Sequence, residues 1–397
     1  MVSVEAVDAT TVRVRYDAAT PDALEAWRLP IIPRHLAESG VDLLTGAFAR
    51  HPVGCGPFRF VRYLPGEEIV LEANDDYWGG RPQIDRLEIK IFADQQTAYQ
   101  ALMTGDLDIM VMSSNLWKQA SESAVADDLV LTSYKRYAVW VLGWNQNNNP
   151  FFGDAGVRRA MVHALDREQF IENVANGMAH LGATTFPPSS AWADPGIEPY
   201  GYDPDEAKRL LADAGWVDSD GDGVRERDGE RLSFTLLYPT SSQQLTQWMA
   251  EWQQQAWNAI GAEVRLEAME WQAFRERRKS RDFHVVAQTF HLTDPDMTGL
   301  YHSDEVDSGF NFWGNQDAET DRLLEAVRYT LDPDERLARM HELQRRLHEL
   351  EPVTALFFFD APLAYRRNLE GVRPSPLGFA NTTRGPREWR WSGEASR

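Results

Sequence analysis

Strand-like and helix-like hydrophobic periods alternate along this chain from end to end, which predicts an α/β fold. Two further observations bound the architecture. At 397 residues the chain exceeds one ordinary core, so two or three domains are expected. A hydrophobic fraction of 43% and fourteen tryptophans can fill large cores, so the chain is globular and not disordered.

The elements follow in order. MVSVEAVDATTVRVRYD reads as two alternating strands, with Val2, Val4 and Ala6 on the first and Val12, Val14 and Tyr16 on the second. It has neither the basic start nor the apolar block of an export signal. FRFVRYL and EEIVLEAN alternate around a PGE turn, and IDRLEIKIF alternates again. QQTAYQALMTG is a helix capped by Gly105, after which Leu107, Ile109 and Val111 make a strand. RYAVWVLGWNQNNNPF is a strand with a polar loop and a candidate domain crossing.

Beyond it Val157, Met161, Ala164 and Leu165 form a helical stripe, and Asp166 with Gln169 resembles a capping box. Asp203 caps the next helix, Pro204 occupies its first turn and Gly215 follows its end. LSFTLLY, AEVRLEAM, DFHVVAQTF and VTALFFF are strands. Between the first two lies a helix with Leu245, Trp248, Met249, Trp252, Ala256 and Ile260 on one face. A helical hairpin broken at Asp332 and Pro333 precedes the last. No internal repeat is present.

Composition narrows the function. A net charge of −21 argues against nucleic acid and anionic membranes as partners. Only five of the forty basic residues are lysine, which fits either a GC-rich genome or an acidic surface suited to a salt-rich habitat. The single cysteine, Cys55, allows no internal disulfide, and without a Cys/His cluster a structural zinc is not expected. No apolar run is long enough to span a membrane.

Four constellations carry chemistry. DSDGDGVRERDGE, residues 218–230, begins like a calcium loop. Asp218, Asp220 and Asp222 stand at ligand positions one, three and five, and Gly223 at six. Val224 offers a carbonyl and Glu226 stands at nine, but position twelve is Gly229. Closure by Asp228 or Glu230 would need a shifted register; otherwise the stretch is a Gly-rich turn with solvated acids. No G-x-S-x-G or H-E-x-x-H motif is present. His341 and His348 stand seven apart, too far for one metal, and read as exposed helix residues. Carboxylates are abundant, but no local sequence points to a glycosidase pair. FHLTDPDMTGLYHSD follows a buried strand and holds His291, Thr293, Asp294 and Asp296. Ligands in open α/β sheets sit at the carboxyl ends of strands, so this is either a binding loop or a plain Asp-Pro turn. FNFWGNQDAETD sets Asn311, Trp313 and Asn315 together, which suits a polar ligand with an apolar side or a loop capping the next helix.

Several segments, in this order, resemble the extracellular solute-binding proteins of ABC importers, of the peptide/nickel type. They are PVGCGPFRFVRYLPGEEIVLEANDDYWGGRPQIDRLEIKIFAD, ALMTGDLDIM, RRAMVHALDREQFIENVANG, YDPDEAKRLLADAGW, NAIGAEVRLE, DPDMTGLYHSD and RLARMHELQRRLHELEPVTALFFF. Relatives often carry the same D-x-D-G-D-G hairpin. The resemblance implies a two-lobed, periplasmic-binding-protein-like α/β fold of the type II, peptide-binding class. Residues 1–138 and 362–397 would form lobe I and residues 139–361 lobe II, joined at a hinge. Complete relatives carry a signal peptide, further lobe I strands and an extra subdomain ahead of this point, so the chain is expected to be truncated.

In dipeptide-binding relatives an Asp holds the peptide amino group; the aligned position here is near His291, with Phe290 beside it. An Arg expected after the lobe II strand is replaced by YPTSSQQ. Burying charged peptide ends without counter-charges costs several kcal/mol, on the order expected for unpaired buried ions. An oligosaccharide stacked on Trp271, Trp313, Trp140 and Tyr137 therefore competes with a peptide. A nickel complex belongs to the family too, but no His cluster is present. The resemblance implies a non-catalytic binding component that docks on a membrane permease. His291 and Asp294 would be polar contacts, Asn311 and Trp313 the rim, and Phe358 the cleft floor. The whole protein would be a monomer, periplasmic or lipid-anchored at the cell surface, with no required cofactor; residues 218–230 are the candidate site of a structural calcium. A carbohydrate-active enzyme and a calcium-stabilised structural domain are the alternatives.

Overall fold

Capping side chains set many of the helix starts in this computed structural model, which describes residues 3–24, 27, 32–38, 46–147, 149–240, 244–291, 295–380 and 385–393. Asp94, Asp154, Asp166, Asp203, Asp317 and Asp332 each accept a hydrogen bond from a backbone N–H of the turn they open. Gly105, at φ 92°, closes the helix Gln95–Thr104 in the left-handed conformation that a Cβ disfavours.

The chain divides into two compact units. The first comprises residues 1–27, 137–174 and 179–359, the second residues 28–136, 175–178 and 360–397. In the first unit the parallel strands Ser233–Pro239, Glu263–Met269 and Val285–His291 make half of a sheet. The antiparallel strand Leu129–Trp144 continues it from residue 137, followed by Val353–Arg366. Period-two alternation sends Trp140, Leu142 and Trp144 to one face and Val139 and Val141 to the other. Helices Ala155–His163, Pro204–Asp213 and Gln244–Asn258 cover the first face; Trp271–Lys279, Ala318–Tyr329 and Pro333–Leu350 cover the second. In the second unit, Phe58–Leu64, Glu68–Ala73 and Arg86–Lys90 form an antiparallel sheet. Ile109–Val111 pairs with residues 363–365, beside a core built on Tyr99, Leu102, Met112 and Leu129.

Three expectations change. Residues 1–27 group with the first unit, not with residues 28–136. An ion pair ties them there: Asp22 accepts a bidentate bond from Arg336, whose side chain is only 6% exposed. The long helix Gln244–Asn258 turns Met249, Ala250, Gln253 and Trp257 inward and leaves Trp248 exposed. Burial of the Gln253 carboxamide in an apolar stripe could not be read from hydropathy. His341 and His348 are half-buried, not exposed. The His348 ring stacks on Tyr200 at 4.3 Å, and its Nδ1 lies 3.1 Å from the Ala183 carbonyl.

Candidate functional site

The carboxyl end of strand Val285–His291 lies beside the strand Leu129–Trp144, with His291 opposite Ala138, Phe290 opposite Val139 and Thr289 opposite Trp140. This register brings Phe290, His291, Tyr137 and Trp140 to one end of the paired stretch of two neighbouring inner strands, with Phe290 and Trp140 on opposite faces. His291 is exposed, Tyr137 half-buried and Trp140 buried in the first core. Trp313 joins them from the far loop: its ring lies 5.6 Å from that of Phe290. Gly143 permits this approach, since a Cβ there would collide with the Trp313 ring. Asp294 and Thr293 lie outside the described residues.

The stacking surfaces expected from sequence are reassigned by burial. Trp313 is 0% exposed and Phe358 3%, both within the second core, and Trp140 is 7% exposed in the first. These rings are already covered on both sides by protein, so none forms a rim or an open stacking face. Trp271 does: it is 48% exposed and lies nearly parallel to Phe274, 5.7 Å away. Phe310, which the sequence reading passed over, is 64% exposed and meets Phe312 edge-on at 5.9 Å.

Asn311 is likewise a staple and not a rim residue. It is fully buried, its Nδ2 donates to the carbonyls of His302 and Asn315, and its Oδ1 accepts from the Asn315 amide. Asn315 donates to the Tyr301 carbonyl. Neither caps the following helix; Asp317 does, accepting from Thr320 at 2.8 Å. The Arg346 guanidinium beside it, with Thr320, holds the Asp317 carboxyl down at about 2.

Two polar groups in the same layer were not anticipated. Arg278, on helix Trp271–Lys279, lies with its guanidinium 4.7 Å from the Phe312 ring and donates to Gln288 Oε1. Burial pushes its pKa down to about 10. In sequence it is one of five charges in RERRK, with nothing to distinguish it from a solvated helix face.

The acidic loop draws its carboxylates together. Oxygens of Asp218, Asp220, Asp222 and Glu226 all lie within 4.8 Å of one another. Asp218 accepts from the Gly221 and Gly223 amides, and Asp222 from Val224. Arg231 bonds Asp222 and lowers its carboxyl pKa. Asp228 does not join the group. With Gly229 it forms the tight turn between Glu226–Arg227 and Glu230–Arg231, at φ 55° and 84°. The hairpin therefore fixes Glu226, at position nine, as the fourth carboxylate.

Known proteins place this arrangement in a family. Residues 1–311 match the bacterial extracellular solute-binding proteins, family 5 Middle. The chain is 30% identical to the oligopeptide-binding protein AppA of Bacillus subtilis over 355 residues, 87% of this chain and 64% of that protein. It thus spans just under two thirds of that relative's length. Its fold superposes on the structure of AppA from Bacillus subtilis in complex with a nonapeptide with a TM-score of 0.86 at 28% identity, covering 98% of this chain and 78% of that one. It superposes on NikZ from Campylobacter jejuni in complex with Ni(L-His) with a TM-score of 0.84 at 26% identity, covering 98% and 78%. The α/β fold and the resemblance drawn from sequence agree with these findings, and the chain belongs to the family 5 bacterial extracellular solute-binding proteins.

Proposed function

We propose that this chain is the solute-binding component of an ABC importer, that it captures a peptide without chemical turnover, and that it delivers it to a membrane permease. The observation that carries this reading is the family match together with the likeness to AppA bound to a nonapeptide. The exposed Trp271 and Phe310 faces and the exposed end of strand Val285–His291 suit a ligand with apolar side chains and a polar backbone. The oligosaccharide alternative draws no support from AppA or NikZ, and the enzymatic one none from the family. The reading extends to a monomer held outside the cytoplasmic membrane, periplasmic or lipid-anchored; among the described residues no helix is long and apolar enough to cross a membrane.

Calorimetric titration with peptides of two to nine residues tests it, with nickel–histidine as a second probe. Saturable peptide binding without product release is expected. Binding of nickel–histidine alone would replace the peptide reading, and steady release of sugar from glycosides would overturn the binding reading altogether.

The same proposal gives the acidic loop a structural calcium. Supporting it, Glu226 Oε1 is buried beside the other carboxylates with no hydrogen-bond partner. No cofactor is needed for binding itself.

A further inference from the structure

In the layer holding Phe290 and Trp313 two buried donors find no acceptor among the described residues, and their chemistry deepens the reading that the chain binds a solute. Gln288 alternates with Val286 and Phe290 on one face of its strand and is 0% exposed. Its Oε1 accepts from Arg278 Nη1, but its Nε2 is buried without an acceptor. Arg278 Nε is buried without an acceptor as well. The rings of Phe312 and Phe274 lie 4.7 and 5.9 Å from the guanidinium carbon, so its faces are apolar.

Among the described residues no carboxylate pairs with Arg278; the one charged neighbour that perturbs it is another cation, Arg275. Glu267 and Asp282 both pair with Arg277, and Glu276 on the same helix accepts from Gln272. A half-buried cation and two orphaned donors therefore belong to two hydrogen-bonded side chains, and an acceptor-rich anion would complete them. Buried polar groups in native folds are usually paired, so a donor pair left without an acceptor calls either for a bound water or for a ligand, and titration with a carboxylate separates the two.

We propose that Arg278 and Gln288 form a specificity-determining subsite that takes a carboxylate of the bound solute. Arg278 supplies the charge, Gln288 Nε2 the second donor, and the two phenylalanines hold the guanidinium in place. An acidic side chain or a C-terminal carboxylate presents the same chemistry.

The test uses the whole chain and two probes. Peptide twins differing only by Glu or Gln at each position, prepared with free and amidated C-termini, are compared by calorimetry. Separately, the Arg278 Nε–H signal of protein carrying isotope-labelled arginine, assigned by its loss in Arg278→Gln, is followed during titration with N-acetylglutamate and with N-acetylglutamine. At least one carboxylate twin should bind tenfold or more tighter, and that preference should vanish in Arg278→Gln. Gln288→Glu should abolish it too while raising the melting temperature, because it supplies the carboxylate from within; this variant keeps the test clear of misfolding. Carboxylate and amide twins binding equally would overturn the subsite while leaving peptide binding standing. If no peptide binds, the peptide reading fails and the signal decides alone. A shift with N-acetylglutamate only retains the subsite; no shift shows that a buried water satisfies the donors, and the subsite falls.

Discussion

Replacing Asn311 with Ala separates a structural staple from a ligand contact. The side chain is fully buried and makes three hydrogen bonds, to His302 O at 3.0 Å, to Asn315 O at 2.8 Å and from Asn315 N at 3.1 Å. Each is worth about 1 kcal/mol net, and its loss leaves a buried partner unpaired, so Asn311→Ala should cost about 3–4 kcal/mol. For a unit of this size each kcal/mol moves the melting temperature by about 2–4 °C, which gives a fall of at least about 6 °C. Differential scanning calorimetry measures it, and peptide affinity at a temperature where the variant is folded supplies the second reading. A large thermal loss with affinity within about twofold supports the staple. A thermal shift under about 2 °C, or a large loss of affinity in a stable variant, would refute the reasoning, because the amide would then be free to bind solute.

Other outcomes follow from the same structure. Asp317 has its folded carboxyl pKa held at about 2, below the unfolded value, so the stability it contributes is present above the usual carboxylate range and is lost as pH falls through that range toward 2. Asp317→Asn should flatten that acid limb in melting curves and, because Asn still caps the helix but no longer pairs with Arg346, cost no more than about 1 kcal/mol at neutral pH. Asp22→Ala leaves Arg336, 6% exposed, without its counter-charge, and should cost about 3–5 kcal/mol while opening residues 1–27 to limited proteolysis; an unchanged cleavage pattern would contradict the tie. Calcium at about a hundred times its dissociation constant should add about 2.7 kcal/mol, and Asp220→Asn should remove the shift. No change in melting with millimolar calcium would remove the ion from the proposal.

Much of the fold was legible because its signals are local. Aspartate caps, the proline after Asp332, the glycine after the helix Gln95–Thr104 and the short buried apolar run of strand Val285–His291 each act within a few residues. The site was less legible. Trp140, Trp313 and Trp271 look alike in sequence, yet the first two are core and the third offers an open face. Asp228 looked like a further calcium ligand until the register of its hairpin put it in the turn.

The sequence by itself determined the α/β class, most element boundaries, the family and the position of the acidic loop, since hydrophobic period, capping chemistry and motif order are properties of neighbouring residues. Only the tertiary structure decided which side chains remain available to a ligand. Asn311 is consumed by its own loop, and Arg278 meets Gln288 from a separate element and Phe312 from a distant loop. Burial and hydrogen-bond saturation depend on what the rest of the chain brings alongside, and no local pattern encodes that.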